Sequence, residues 1–310
     1  MEAYRLAEKL QENINRVFVG KKDVVENLLI CFLAGGHVLL EDVPGVGKTT
    51  LALCLARSMA CSFGRIQFTP DTLPGDVVGL SVYDMKTGEF RYQPGAVMNQ
   101  VLLADEINRT APKTQASLLE AMAESQVTVD GIVHRLPQPF LVIATQNPVE
   151  FLGTYPLPEA QMDRFMMRLS IGYPDREQEI GMADRFLRGQ TVEKTEAVCQ
   201  AEDILMLREM AAHVTVKESI LGYMEDMVQA TRDEQRFVLG ASPRAMLALL
   251  RASQAKAFLQ QRDYVKPDDV KAVAMPVLSH RLALSAEARI QKENVEKILR
   301  SLIIKVKVPV

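Results

Sequence analysis

The sequence predicts an α/β fold in which helices cover both faces of a parallel sheet, with a smaller helical domain following it. Short apolar runs, typical of strands buried on both faces, alternate with helical patterns through the first half of the chain. After about residue 173 only helical periodicity continues. A glycine-containing loop joins the first apolar run to a helix, as the strand–loop–helix unit of a parallel sheet requires.

The first half supplies the elements of the predicted sheet. Helices are expected at residues 4–15 and 22–35, where apolar side chains recur at helical spacing. The strand candidates are residues 38–40, 65–68, 101–104, 140–145 and 166–171. Because β and α elements alternate, these strands are expected to lie parallel, with helices on both sides.

The second half is predicted to be helical. The helical ranges are 175–188, 202–212, 217–232, 243–261, 267–279 and 285–304. The one strand considered there is at the C-terminus, over residues 303–310. Residues 189–198 are polar and aperiodic and indicate a linker. We therefore divide the chain into an α/β domain at 1–190 and a helical domain at 191–310.

Composition narrows the class of protein. The chain has 310 residues, a net charge of −3 and a pI near 5.9, so no basic field predicts a nucleic-acid partner. Cys31, Cys54, Cys61 and Cys199 form no metal-type pair and indicate free thiols in a reducing compartment, so a cytoplasmic protein is expected. The N-terminus is charged and amphipathic, and the apolar run at 28–34 is too short to span a bilayer, so no direct membrane insertion is expected.

Residues 38–50, VLLEDVPGVGKTT, carry the first chemical signal. Gly45 and Gly47 allow backbone N–H groups to approach a polyphosphate, and the N-terminus of the next helix adds donors. Lys48 is expected to reach the β- and γ-phosphates, and the Thr49 hydroxyl to ligate Mg²⁺. Asp42 occupies the position where the strict motif has glycine. The predicted nucleotide-binding residues of the loop are Pro44, Gly45, Val46, Gly47, Lys48, Thr49 and Thr50.

An apolar strand that ends in two acids carries the second signal. The carboxyl ends of parallel strands lie beside the phosphate-binding loop, so Asp105 is expected to hold Mg²⁺. Glu106 is expected to polarise the water that attacks the γ-phosphate. Alone, the pair is also compatible with a solvated acidic turn, but the upstream glycine loop favours catalysis.

Asn147 follows the next apolar strand and carries the third signal. A polar side chain at this edge of the sheet can orient the attacking water or contact the γ-phosphate. The alternative is a turn-forming asparagine before Pro148.

These motifs together resemble the MoxR family of AAA+ ATPases over nearly the whole chain. The matching strings, in the family's order, are VPGVGKTT, LLADEINR, ATQNP, GTYPLPEAQMDRF and GASPRA. The resemblance implies a P-loop AAA+ αβα sandwich with a parallel five-stranded sheet, a small all-α lid domain, and hydrolysis of ATP with Mg²⁺. The form DVPGVGKT also occurs in that family, so Asp42 does not count against nucleotide binding.

The resemblance assigns roles to further residues. Arg164, in the string DRF, matches an arginine finger that completes the ATP site of a neighbouring subunit, with Arg109 and Arg168 as rival candidates. Arg244, after the N-cap residue Ser242 and Pro243, matches an arginine that reaches the γ-phosphate from the lid. Val19 lies in a segment that contacts the adenine in similar proteins.

Two insertions are also expected. Residues 127–136 predict a β-hairpin with its turn at Asp130-Gly131, which is the strongest short-range hairpin signal. Residues 80–98 predict a short excursion of strands and loops. The resemblance places both at the pore or face of a ring, while the alternative is surface structure without a function.

The function implied by the resemblance is chaperone-like. A ring of identical subunits, expected to be a hexamer, would remodel or mature a client protein complex with a von Willebrand A domain partner supplied by another chain. Two alternatives stay open: a nucleic-acid-stimulated motor and a magnesium-chelatase-type motor subunit. The absence of tryptophan and of a basic stripe disfavours the nucleic-acid motor.

Overall fold

The computed structural model describes residues 2–148, 153–189 and 191–309. The helices are α1 (Glu2–Val17), α2 (Lys22–Leu33), α3 (Lys48–Ser58), α4 (Pro74–Val78), α5 (Pro112–Glu124), α6 (Glu159–Met162), α7 (Arg176–Leu187), α8 (Ala201–Ala212), α9 (Glu218–Asp233), α10 (Pro243–Leu259), α11 (Pro267–Leu278), α12 (Ala286–Ile290) and α13 (Val295–Lys305). The strands are β1 (Val38–Glu41), β2 (Phe63–Gln67), β3 (Gly79–Asp84), β4 (Glu89–Pro94), β5 (Val101–Asp105), β6 (Gln126–Val129), β7 (Ile132–Arg135), β8 (Leu141–Gln146), β9 (Met167–Leu169), β10 (Phe237–Leu239) and β11 (Ala283–Leu284).

A five-stranded parallel sheet forms the centre of the first half, in the order β2-β5-β8-β1-β9. Its two faces are both buried, as the continuous apolar runs predict. Leu103 and its neighbours on one face pack with α1, α2 and α3, whereas Leu102 on the other face packs with α5. The structure confirms the predicted sandwich and the strand ranges to within two residues at each end.

The carboxyl edge of this sheet gathers the residues of interest. β1 leads into the phosphate-binding loop, β5 ends at Asp105, and β8 ends at Gln146 next to Asn147. β2 is the outer strand on one side and ends at Gln67, directly opposite Asp105 in the register. Because all these strands are parallel, their ends converge on one edge.

The second half is helical, with two departures from the prediction. The range 285–304 is split into α12 and α13, because the Asn294 side chain accepts a hydrogen bond from the Lys297 N–H and caps a new helix. The predicted C-terminal strand is wrong: residues 303–305 finish α13, whose Ile298, Leu299 and Ile303 are buried at helical spacing. Instead, β10 and β11 form a short antiparallel ladder.

The two halves share a buried core. The larger apolar cluster contains Leu28 of α2 as well as Val270 and Val273 of α11. A salt bridge of 2.6 Å between Lys256 and Glu26 also joins α10 to α2. The lid therefore packs on the sandwich, and the division of the chain at residue 190 stays a prediction.

Two hairpins leave the sandwich. β6 and β7 form the predicted hairpin, with its turn residues Asp130 and Gly131 both at positive φ. β3 and β4 form a second hairpin, which exposes Met85 and Phe90. The Tyr92 ring stacks on the His134 ring at 3.8 Å, so the hairpins contact each other. Among the described residues, no helix has the length and apolar character needed to cross a membrane.

Candidate nucleotide site

The phosphate-binding loop lies between β1 and the first turn of α3. Gly45 and Gly47 have φ of +86° and +90°, a backbone conformation that L side chains rarely adopt. Lys48 is the first residue of α3, and its Nζ donates to the Asp42 carbonyl at 3.0 Å. Thr49 and Thr50 occupy the same first turn. A left-handed glycine before a helix N-terminus is the geometry of an anion cradle.

Asp42 has a structural role that the sequence did not reveal. Its buried carboxylate accepts hydrogen bonds from the Ser170 Oγ at 2.9 Å, the Ile171 N–H at 2.6 Å and the Gly172 N–H at 2.9 Å. The aspartate at the usual glycine position thus fastens the start of the loop to the segment after β9. A carboxylate saturated by such donors is strongly held.

A cavity of about 290 Å³ adjoins the loop, and its lining is mostly apolar but includes Arg185 and Glu193. Val19 lines it together with Phe18, Val46 and Gly47, so the predicted adenine segment does lie beside the phosphate-binding loop. Helix α7 contributes Met182 and Phe186 to the lining, and this contribution had no sequence signal. The size and mostly apolar lining of the cavity suit a purine base.

The first acid of the pair, Asp105, is fixed by two donors. Its Oδ1 accepts from the Thr145 hydroxyl at 2.7 Å, and its Oδ2 accepts from the Arg65 guanidinium at 2.8 Å. Asp105 follows Leu103 by two residues, so it lies on the face of the sheet that α3 covers. This places it on the same side as Thr49.

The second acid, Glu106, has an unusual backbone. Its φ of +58° is left-handed, which is rare for a residue with a Cβ and concentrates at functional sites. Its Oε2 accepts from the Gln67 amide at 2.8 Å and from the Arg109 guanidinium at 2.9 Å. Its N–H donates to the Thr145 hydroxyl at 2.9 Å, which links the ends of β5 and β8. Sequence reasoning missed Arg65, Gln67 and Thr145, because strand register alone brings them to the acids.

Asn147 follows β8 and is buried at the same edge, as the sequence predicts. Hydroxyl and carboxylate oxygens such as those of Thr49 and Asp105 suit Mg²⁺, which usually takes few protein ligands together with substrate phosphates. Within the described ranges, no group of three or more His, Cys, Asp or Glu side chains forms a metal cluster. The oxygen donors of Thr49 and Asp105 fit a cation that binds together with a nucleotide.

A second cavity, of about 370 Å³, lies at the amino edge of the sheet. His37, which precedes β1, is part of its wall. We call it the arginine pocket, because its lining among the described residues includes Arg164, Arg208, Arg244, Arg251 and Arg281. Asp163 is the acid there, and it is already bound by the Arg281 Nε at 2.6 Å and the Ser242 hydroxyl at 3.0 Å.

Arg164 and Arg244 therefore lie together, at the edge opposite their own phosphate-binding loop. The Arg164 Nη1 donates to the Leu119 carbonyl at 2.8 Å. The side chains of Arg244 and Arg251 form no hydrogen bond or ion pair with any residue that the structure describes. Arg244 thus lies away from the phosphate-binding loop of its own subunit, and its contact with a γ-phosphate stays a prediction.

The rival finger candidates lie elsewhere. Arg109 binds Glu106 of its own site, as described above. Arg168, on β9, binds Glu41 at 3.1 Å and Glu296 at 3.4 Å, so its charge is used to hold strand and lid together.

The wall of the arginine pocket contains a neutral histidine. Burial lowers the pKa of His37 to about 4. Its Nδ1 accepts from the Val142 N–H at 3.0 Å and its Nε2 donates to the Met122 carbonyl at 3.1 Å. Burial likewise lowers the pKa of His280, whose Nε2 donates to the Phe165 carbonyl. The positive charge of the pocket therefore comes from its arginines.

The parallel sheet, the phosphate-binding loop and the acid strand define a P-loop protein of the AAA+ class. Residues 37–167 match the family described as ATPase family associated with various cellular activities (AAA), and residues 229–302 match the AAA lid domain. The chain belongs to the MoxR family of AAA+ ATPases, since it is 40% identical to "Chaperone MoxR1" of Mycobacterium tuberculosis over 96% of this chain and 80% of that protein.

Two other proteins are similar over nearly their whole length. "Uncharacterized protein YeaC" of Bacillus subtilis is 50% identical over 100% of this chain and 97% of its own. The crystal structure of a proposed ATPase from Cytophaga hutchinsonii superposes with a TM-score of 0.93 at 39% identity, covering 100% of this chain and 96% of that one.

Proposed function

We propose that the protein hydrolyses ATP with Mg²⁺ at sites shared between identical subunits of a ring, which we take to be a hexamer. The observation that carries this proposal is the division of charged groups between two edges of one sheet. The phosphate-binding loop and the acids lie at the carboxyl edge, whereas Arg164 and Arg244 lie at the amino edge. A ring in which each arginine pocket faces the next subunit's loop brings the two sets together.

Within one subunit, the carboxyl edge performs binding and deprotonation. The loop from Pro44 to Gly47 supplies backbone donors, Lys48 contacts the phosphates, and the cavity beside Val19 takes the adenine. Thr49 and Asp105 would hold Mg²⁺, which would neutralise phosphate charge when bound. Glu106 accepts the proton of the water that attacks the γ-phosphate, giving ADP and phosphate, while Asn147 orients that water.

The neighbouring subunit supplies positive charge for the transition state. A guanidinium suits this role because it stays charged and forks onto phosphate oxygens. Arg164 is held to α5 through the Leu119 carbonyl, so its position is defined before a neighbour arrives. Arg244, whose side chain has no partner among the described residues, would bind the same nucleotide from the lid.

We propose that this ATPase remodels or matures a client protein complex, with a von Willebrand A domain partner on a separate chain. The chaperone description of the Mycobacterium relative supports the first part. The hairpin of β3 and β4 is a candidate for client contact, because Met85 and Phe90 are exposed there.

Glu106→Gln provides the test of this function. The amide keeps the shape of the side chain but is a poor base, so we expect ATP binding to persist while phosphate release stops. Calorimetry measures ATP binding, and a phosphate assay measures hydrolysis. Sedimentation in the presence of ATP tests whether the subunits assemble into a ring. Normal phosphate release by the variant would refute the role of Glu106. The same variant traps clients for identification by mass spectrometry, and stimulation by DNA or RNA would redirect the proposal to a nucleic-acid motor.

A further inference from the structure

Arg65 connects the two acids of the site. It lies on β2, one of the two outer strands of the sheet, and its Nη2 donates to the Asp105 Oδ2 at 2.8 Å and to the Gln67 Oε1 at 2.9 Å. The Gln67 Nε2 in turn donates to the Glu106 Oε2 at 2.8 Å. One guanidinium therefore contacts the first acid directly and the second through an amide.

The direction of these hydrogen bonds fixes the amide. An arginine side chain only donates, so the Gln67 oxygen must face Arg65. Its nitrogen is then directed to Glu106, which can only accept when ionised. Without the guanidinium, the Gln67 oxygen would lose its donor, and Glu106 alone would hold the amide, through its nitrogen.

The exposure of Arg65 argues against a purely structural role. Its side chain is 47% exposed while that of Asp105 is 14% exposed. Half-exposed ion pairs contribute little to folding stability. Loss of Arg65 should therefore leave the fold intact and change mainly the orientation of the two carboxylates.

We propose that Arg65 is a positioning residue for the ATPase reaction, orienting Asp105 for the cation and, through Gln67, Glu106 for the attacking water. This inference rests on the function proposed above. Lysine is a poor replacement, because its ammonium is a strongly hydrated point charge on a flexible stem, whereas the guanidinium presents its donors in a fixed fork. Groups that orient ligands in this way typically matter about 10- to 100-fold.

Kinetics of Arg65→Gln and Arg65→Lys form the first arm of the test. We expect kcat to fall about 10- to 100-fold in both, while ATP affinity measured without Mg²⁺ stays within about two-fold. The matched control is Arg188→Gln, which removes an exposed arginine paired with Asp184 at 2.9 Å and should leave kcat unchanged. An unchanged kcat in the Arg65 variants, or an equal loss of Mg²⁺-free ATP affinity, would overturn the proposal.

A double-mutant cycle with Gln67→Ala separates the two routes. If Arg65 acts on Glu106 through Gln67, the combined variant should lose less than the product of the two single losses. Purely multiplicative losses would refute the Gln67 route.

Calorimetry gives a readout that needs no turnover. The quantity measured is the gain in ATP affinity when Mg²⁺ is added, in protein that carries Glu106→Gln. Adding Arg65→Gln should make this gain smaller. Adding Gln67→Ala should leave it unchanged. An equal gain in both variants would refute the Asp105 route. If the wild-type protein binds ATP but does not hydrolyse it, the proposed function is refuted. The calorimetric comparison would still decide whether Arg65 orients Asp105. A protein that binds no ATP would end both proposals.

Discussion

The two edges of the central sheet differ in how completely their charges are paired. At the carboxyl edge, Asp105 and Glu106 each accept hydrogen bonds from side chains of the same chain. At the amino edge, the side chains of Arg244 and Arg251 have no hydrogen-bond or ion-pair partner among the described residues, and the pocket's acid is already bound by Arg281. Guanidinium groups that outnumber the carboxylates around them are expected to attract an anion.

In the ring proposed above, the nucleotide of a neighbouring subunit would supply this anion. Each chain carries a phosphate cradle at one edge and an excess of guanidinium groups at the other, so two copies can complement each other while one copy cannot. The predictions below alter one edge at a time, in order of decreasing expected effect.

Lys48→Ala should remove the function of the carboxyl edge. Without the ammonium, the phosphates lose their main side-chain contact, so ATP binding or turnover should fall below detection. Calorimetry and a phosphate assay measure both. The control is Lys86→Ala, which changes an exposed lysine in the turn between β3 and β4. If Lys48→Ala keeps the ATP affinity and rate of the wild type, the assignment of this loop to phosphate binding is wrong.

Arg164→Ala should remove the contribution of the amino edge to hydrolysis and leave ATP binding at the carboxyl edge intact. We expect kcat to fall about 10³- to 10⁵-fold, as for other arginine fingers, with ATP affinity of the isolated subunit nearly unchanged. Arg244→Ala should change kcat in the same direction by a smaller factor. Arg188→Ala is the control. Loss of ATP affinity in isolated Arg164→Ala subunits would place this arginine in its own site and contradict the comparison.

His37, in the wall of the arginine pocket, should make the stability of the protein depend on pH. The pKa of His37 is lowered to about 4 in the folded protein, so between about pH 6.5 and pH 4 the unfolded chain binds the proton more readily. The free energy of unfolding should therefore decrease as the pH is lowered from about 6.5 to about 4. This group should contribute up to about 3 kcal/mol to that decrease. His37→Gln, which cannot take up the proton, should show a shallower decline in denaturant titrations; identical slopes would contradict the prediction.

Asp42→Ala should loosen the phosphate-binding loop at its start. The buried N–H groups of Ile171 and Gly172 would lose their acceptor, at a cost of about 1–3 kcal/mol each in the unfolding free energy if they stay unpaired. Denaturant unfolding measures this, with the exposed Asp184→Ala as control. If stability and ATP affinity both equal those of the wild type, Asp42 does not hold the loop.

Sequence reasoning predicted the carboxyl edge better than the amino edge, and the reason is locality. Gly45, Gly47 and Lys48 act through their own consecutive backbone, and the Asp130-Gly131 turn determines its hairpin locally. Arg65 and Gln67 could not be found in this way, because their partners lie about 40 residues away and are brought near by strand register.

The position of Arg244 relative to its own phosphate-binding loop could not be predicted, for a related reason. Its N-cap and helix were predicted correctly, but how a helical lid packs against a sheet depends on buried contacts distributed over several helices. Strands as short as β10 and β11 also have too few residues to show a period of two.

A mixing experiment tests the central claim, that one catalytic site is built from two copies. Subunits carrying Glu106→Gln, with Arg164 intact, are combined with subunits carrying only Arg164→Ala, and phosphate release is measured across the mixing ratio. In a mixed ring, the intact Arg164 of a Glu106→Gln subunit can face the intact Asp105 and Glu106 of an Arg164→Ala subunit. Activity should recover in proportion to the frequency of such interfaces, so the mixtures should be more active than either parent. If Arg164 serves its own site, no mixture will exceed the weighted average of the parents, and the shared site must be abandoned.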